Sequence, residues 1–209
     1  MEGDARFRVG TPIAVTAVRG TEFRVAYLEG MQSSLTEVVE GTVGVSQGEQ
    51  SIETDAGFGV AAAATGLGGN ERLLAAPTVV DAGRIQTDES VDFEIDELRG
   101  ATGYRTQIAR DAGFIEVIGQ NVSQMANVSF NDLEDGRYFV RARAISPSGL
   151  EGLSDVSSFR RKRVGSEAGT EESPIADAFK FAWRTLGTGN SYAAFQLWNA
   201  ENPTVLLVD

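Results

Sequence analysis

Leu133-Glu134-Asp135-Gly136-Arg137-Tyr138-Phe139-Val140-Arg141-Ala142-Arg143-Ala144 sets a turn, a tyrosine and an alternating strand side by side. From Tyr138 the side chains fall as Tyr138, Val140, Ala142 and Ala144 on one face and Phe139, Arg141 and Arg143 on the other. A period of two is that of a half-buried antiparallel strand. Leu133, the Asp-Gly turn at Gly136 and Tyr138 at the strand start also fit a corner found in two-sheet β-sandwiches, in which the phenol bonds back to upstream backbone. The expectation is a buried Tyr138 with its hydroxyl so bonded. Scaffolds of this kind present surfaces, and any chemistry lives in sites grafted onto them.

Outward from that strand the chain reads as all β. Before it, Ala14–Val18, Glu22–Leu28, Leu35–Val39, Thr42–Val45 and Gln50–Thr54 are short strands broken at Gly20, Gly30, Gly41 and Gly48, which predicts a small β-domain over residues 4–64. Ala14–Val18 and Glu22–Leu28 are expected to pair as neighbours across Arg19-Gly20-Thr21, with Phe23 and Val25 facing the core. The small residues from Ala61 to Gly69 read as a linker. From Pro77, the segments Val91–Ile95, Tyr104–Ala109, Phe114–Ile118, Asn127–Phe130, Arg137–Ile145 and Val156–Phe159 have the spacing of a seven-stranded sandwich over residues 73–163. Arg160–Arg163 reads as a solvated strand end, and residues 164–177 as an acidic linker too polar to bury a core. Beyond it, Phe179, Phe181 and Trp183 repeat Val91, Phe93 and Ile95 at constant offset, with Leu186 matching Leu98 and Tyr192 matching Tyr104. Residues 178–209 therefore predict a partial sandwich whose core stripe is Phe179, Phe181 and Trp183. Lacking a facing sheet, it should pack on residues 77–160 or on a second chain, giving a homodimer.

Composition removes whole classes of function. The 209 residues contain no histidine and no cysteine, so Ser-His-Asp triads, thiolate nucleophiles, imidazole metal sites and disulfides are all excluded. A net charge of −12 opposes binding to nucleic acid or anionic lipid. No stretch is long and apolar enough to span a membrane, and Met1-Glu2-Gly3-Asp4 lacks the profile of a secretory signal. The chain is either cytoplasmic or an internal piece of an exported protein. Asn131–Gly136 lacks the alternate acids of a calcium loop and reads as an acidic turn. Gly66-Leu67-Gly68-Gly69 has no βαβ context for a dinucleotide. No catalytic residue, cofactor or metal ligand is expected, and the chain reads as non-enzymatic. Among Trp183, Tyr192 and Trp198, Trp198 is the candidate ligand-facing aromatic, since sugar rings stack on such faces.

Three further motifs occur in a fixed order. Thr11-Pro12-Ile13-Ala14-Val15-Thr16-Ala17-Val18-Arg19-Gly20-Thr21-Glu22-Phe23-Arg24-Val25 contains Arg-Gly-Thr-x-Phe-x-Val. Val38-Val39-Glu40-Gly41-Thr42-Val43-Gly44-Val45 contains Val-x-x-Gly-x-Val-x-Val. Ala56-Gly57-Phe58-Gly59-Val60 closes the series. Together they resemble the FecR-type domain of bacterial envelope proteins, with Arg19, Gly20, Thr21, Phe23 and Gly41 as the structural motif residues. Family domains carry strands before the Thr-Pro segment, so the resemblance implies an N-terminally truncated domain. Ala101–Asp111, the Leu133–Gly136–Tyr138 run and Asp155–Phe159 resemble the fibronectin type III-like modules that often follow. The resemblance implies a periplasmic or cell-surface protein, its signal peptide outside this stretch, with envelope proteins or peptidoglycan as partners. FecR-type signal relay to a sigma factor and carbohydrate binding are the alternatives it leaves open.

Overall fold

The computed structural model describes residues 7–18, 21–175, 179–188, 197–198, 201 and 206–208. The chain is nearly all β, as its alternation predicts. Its contacts divide into two units. Unit one comprises Met1–Ala82, Phe93–Val128 and Phe139–Ser158; unit two comprises Gly83–Asp92, Ser129–Tyr138 and Phe159–Asp209. The boundary expected between residues 64 and 73 falls inside unit one.

Unit one opens with β1 (Phe7–Gly10), β2 (Val15–Val18), β3 (Glu22–Leu28), β4 (Ser33–Glu40), β5 (Thr42–Gln47), β6 (Gln50–Asp55), β7 (Phe58–Ala63), β8 (Gly66–Leu67) and β9 (Glu71–Arg72). These form two sheets, β1-β2-β5-β6 and β3-β4-β7-β8, with β9 also on β7. Val38 and Val60 from one sheet meet Val43 and Val45 from the other, and half-buried Phe23 packs against them. The expected β2–β3 hairpin does not form: β2 pairs with β1 and β5, and β3 with β4. Alternation fixes which face of a strand is buried, not which edge it joins, and here the chain crosses between sheets. A 3.1 Å bond between the buried Thr16 and Thr36 hydroxyls ties the two layers. Arg19 and Gly20 lie outside the described residues.

The linker expected at Ala61–Gly69 is instead a paired turn. Ala61–Ala63 continue β7 against Ser33–Leu35, and Gly66 and Leu67 return on Ala63 and Ala62. The small residues answer close packing rather than flexibility: a Cβ on Gly68 would stand 2.6 Å from the Ala61 carbonyl.

Strand β4 is buried continuously from Ser33 to Val38. One face, with Thr36 and Val38, meets the first sheet. The other, with Leu35 and Glu37, meets Leu73, Leu150 and the backbone of Glu151.

After β10 (Ile85–Gln86), which belongs to unit two, the chain forms β11 (Val91–Glu94), β12 (Gly103–Ala109), β13 (Val117–Ser123), β14 (Asn127–Phe130) and β15 (Gly136–Ile145). In unit one β12 lies between β13 and β15, both antiparallel. Ile95, Tyr104, Ala142 and Ala144 build a core with Leu74, Val79 and Leu98 around them. The strand expected at Phe114–Ile118 begins only at Val117. Asp111 stops it, its carboxylate accepting the N–H groups of Ile115 and Glu116, and Phe114 turns through φ +56°.

In unit two β10 runs parallel to the end of β16 (Val156–Arg161). Tyr138 is buried, its ring 5.7 Å from that of Phe159, and its hydroxyl donates to the Glu134 carbonyl at 3.0 Å. Gly136 lies under that ring, and a Cβ there would stand 3.2 Å from the phenol oxygen. The run Arg160–Arg163 is not simply a solvated end. Arg161 is fully buried beside Phe159's face of the strand, donating to the carbonyls of Leu133, Gln86 and Glu89.

The acidic segment 164–177 also departs from expectation. Gly165–Glu172 is a strand, β17, in eight-residue register with β18 (Phe179–Leu186). A polar segment cannot bury a core, but a ladder needs only backbone and favourable cross-strand pairs. Glu167–Arg184 and Glu171–Lys180 supply them. Phe181 and Trp183 are 37% and 52% exposed rather than a core stripe, because a two-stranded ribbon supplies no second layer of its own. β19 (Leu197–Trp198) pairs with β20 (Leu206–Val208). Tyr192 and the side chain of Trp198 lie outside the described residues, as does half of the segment expected to dock or dimerise.

Candidate functional site

The register of β12 and β15 sets Arg105 directly opposite Arg143 and Gln107 opposite Arg141. Two like charges opposed across a ladder destabilise it unless a counter-charge intervenes. Glu151 is that counter-charge. A tight turn returns the chain after β15: Ser146 N donates to Leu150 O at 2.9 Å, and Gly149 adopts φ +89°. The Glu151 carboxylate then receives Arg105 Nε and, at 3.1 Å, an Arg143 terminal nitrogen.

The backbone of the same residue is held from β3 and β4. Glu151 N donates to Glu37 Oε1 at 3.0 Å. A terminal nitrogen of Arg24 donates to the carbonyls of Glu151 and Gly152 at 2.7 and 2.8 Å. Arg24 Nε reaches Glu37 Oε2 at 3.3 Å, which closes the network. Four guanidiniums, of Arg24, Arg105, Arg141 and Arg143, thus surround two carboxylates, of Glu37 and Glu151.

Burial shapes the charge. Glu37 is almost wholly buried, and desolvation pushes its carboxyl above the ordinary range against the pull of the Glu151 N–H and Arg24; the Glu151 carboxylate adds to the push. Arg143, expected on a half-buried face, has a side chain only 9% exposed. Desolvation and the nearby Arg24 pull its guanidinium below the ordinary value. Its Nε is buried with no hydrogen-bond partner. Arg141 donates Nε to Gln107 Oε1 at 2.9 Å and lies with its guanidinium carbon 3.9 Å from the centre of the Phe114 ring. Burial first, then Arg143 and Arg24, bring it down to about 10, so it stays charged at neutral pH.

These arginines open onto a cleft of about 780 Å³ lined by Arg24, Arg141 and Arg143, by Glu22 and Asp155, and by apolar groups including Val39, Leu153 and Val156. That is within the ~300–1,000 Å³ usual for ligand sites. Phe114, a bulky residue at positive φ, supplies the platform under Arg141; such strained positions gather at functional sites. Among the described residues, no group of three or more carboxylates could hold a metal ion, and no helix is long and apolar enough to cross a membrane.

None of the motif residues singled out from sequence that the structure describes, Thr21, Phe23, Gly41, Leu133, Gly136 and Tyr138, lines this cleft. Phe23 and Gly41 serve the first sheet pair, Gly41 at φ +81° between β4 and β5. Thr21 precedes β3 with its hydroxyl buried and unpartnered. Leu133, Gly136 and Tyr138 belong to unit two. The cleft did have a signal in sequence: Arg141 and Arg143 two apart on an alternating strand, with Arg105 on another.

No protein-family model and no curated protein matches the chain. Among solved structures it is similar to a Fn3-like protein from Clostridium thermocellum, at 17% identity over 44% of this chain and 94% of that one, with a TM-score of 0.35. It is also similar to fibronectin(III)-like modules of CbhA from the same organism, at 11% identity over 42% and 96%, TM-score 0.31. The FN1–FN3 domains of chicken CNTN1 are similar at 11% identity over 78% and 73%, TM-score 0.34.

Proposed function

We propose that the chain is a non-enzymatic interaction module of a bacterial extracytoplasmic protein, with an envelope protein or peptidoglycan as partner. Residues 4–64 form a FecR-like β-domain, residues 73–163 a fibronectin type III-like sandwich, and residues 178–209 part of a second such module. The observation that carries this reading is the cleft. Its polar groups are guanidiniums, carboxylates and one serine hydroxyl, Ser154, a set suited to holding a charged partner. A chain without histidine or cysteine has neither the commonest general base nor a thiolate to turn such a cleft to catalysis. The FecR-like reading draws support from Gly41, whose positive φ serves the turn within the Val38–Val45 motif. The test is sedimentation of the purified chain with insoluble bacterial cell walls, assayed in parallel for release of soluble fragments. Co-sedimentation without release is expected; release abolished by one Asp or Glu substitution would overturn the non-enzymatic reading.

A second reading, carbohydrate binding, is favoured by Phe181 and Trp183, which share a face of β18 and are substantially exposed. Quenching of tryptophan fluorescence by soluble glycans, lost in Trp183→Ala, would carry it.

A further inference from the structure

The ion network of unit one is short of carboxylates on its cleft side. Glu37 and Glu151 are committed to Arg24, Arg105 and Arg143, and Arg141, which Glu151 and Glu22 attract without pairing with it, contacts Gln107 and the Phe114 ring. Arg143 keeps a buried, unpartnered Nε. Glu22 and Asp155 line the same cleft, yet neither makes an ion pair with the three arginines there.

We propose that this cleft binds a peptide through a single carboxylate, received by the Arg141 guanidinium on its Phe114 platform, with the charge of Arg143 beside it in the cleft lining. The planar fork of an arginine matches a carboxylate with two parallel bonds. Glu22 and Asp155 repel additional negative charge, which selects one carboxylate over a phosphate dianion or an acidic run. Val39, Ala75, Ala76, Leu153 and Val156 offer apolar surface to the residues beside it. The inference rests on the reading of the chain as a binding module and names the chemistry of its ligand.

The experiment titrates the full chain with three probes by calorimetry: acetyl-Ala-Val-Leu-Ala with a free carboxylate, the same peptide amidated, and acetyl-Ala-Glu-Leu-Ala amide. Both carboxylate peptides are expected to bind and the uncharged amide is not. Arg141→Gln should weaken binding by about tenfold or more with the thermal midpoint preserved. Glu22→Gln should tighten it several-fold by removing a repelling charge, a gain that misfolding cannot imitate. Equal binding of the amidated peptide, or unchanged binding in both variants, would overturn the proposal. Acetate binding as tightly as the peptides would overturn its peptide part. Failure here with intact cell-wall sedimentation removes the cleft's ligand and leaves the module reading; the reverse result removes the envelope partner and leaves the cleft.

Discussion

The hydroxyl of Tyr138 and the guanidinium of Arg161 secure one turn from two directions, the first at the carbonyl of Glu134 and the second at that of Leu133. Tyr138→Phe keeps the ring against Phe159 and loses the bond. It should lower stability by about 1 kcal/mol, read as a shift in urea midpoint at constant slope. Glu37 makes a pH-dependent case. Its folded carboxyl holds a proton more tightly than the unfolded one, whose value is near 4.5. Its stabilising contribution is therefore fully present below the unfolded value and is lost as pH rises through the folded value. Relative to a non-titrating Glu37→Gln variant, the wild type should lose stability as pH rises from 4.5 through the raised folded value; urea midpoints over that rise check it, and a wild-type advantage that grows with pH would contradict it. Tyr138 was readable in sequence because its corner is local, set by Leu133 and Gly136. Arg143 and Arg161 were not: each sits on an alternating strand whose burial is decided by chain outside that strand, residues 150–153 for one and the carbonyls of Gln86, Glu89 and Leu133 for the other.

At the scale of elements, β4 shows how far alternation can be trusted. The order Leu35, Thr36, Glu37, Val38 gives two faces. The polar residues Thr36 and Glu37 lie on opposite ones, and both are buried because each finds a partner across the layer. Pattern gave the strands and their all-β class. It did not give the sheet crossing between β2 and β3, which depends on edge choice, nor β17, whose partners are backbone and exposed ion pairs. Glycines carry part of the missing information. Gly41 turns between β4 and β5 at φ +81°, a conformation costing a residue with a Cβ on the order of 1–3 kcal/mol. Gly41→Ala should cost about that much in denaturant unfolding. A neutral effect would place the turn in another conformation.

At the scale of the molecule, the segment Leu150–Gly152 joins the first sheet pair of unit one to the sheet of β12, β13 and β15. Leu150 enters the cluster of Leu35 and Leu73, and Glu151 connects Glu37 and Arg24 to Arg105 and Arg143. This union holds Arg141 and Arg143 at the cleft, and sequence could not disclose it, since Arg24 and Gly152 are far apart along the chain. The central claim is that these parts form a single cooperative unit. Native-state hydrogen exchange of the full chain tests it most directly, comparing amides of β4 with amides of β12 and β15. The account predicts one shared opening free energy for both sets, lowered equally by Arg24→Gln. Two separate opening free energies, with β12 and β15 still protected after β4 has exchanged and unaffected by the substitution, would contradict it.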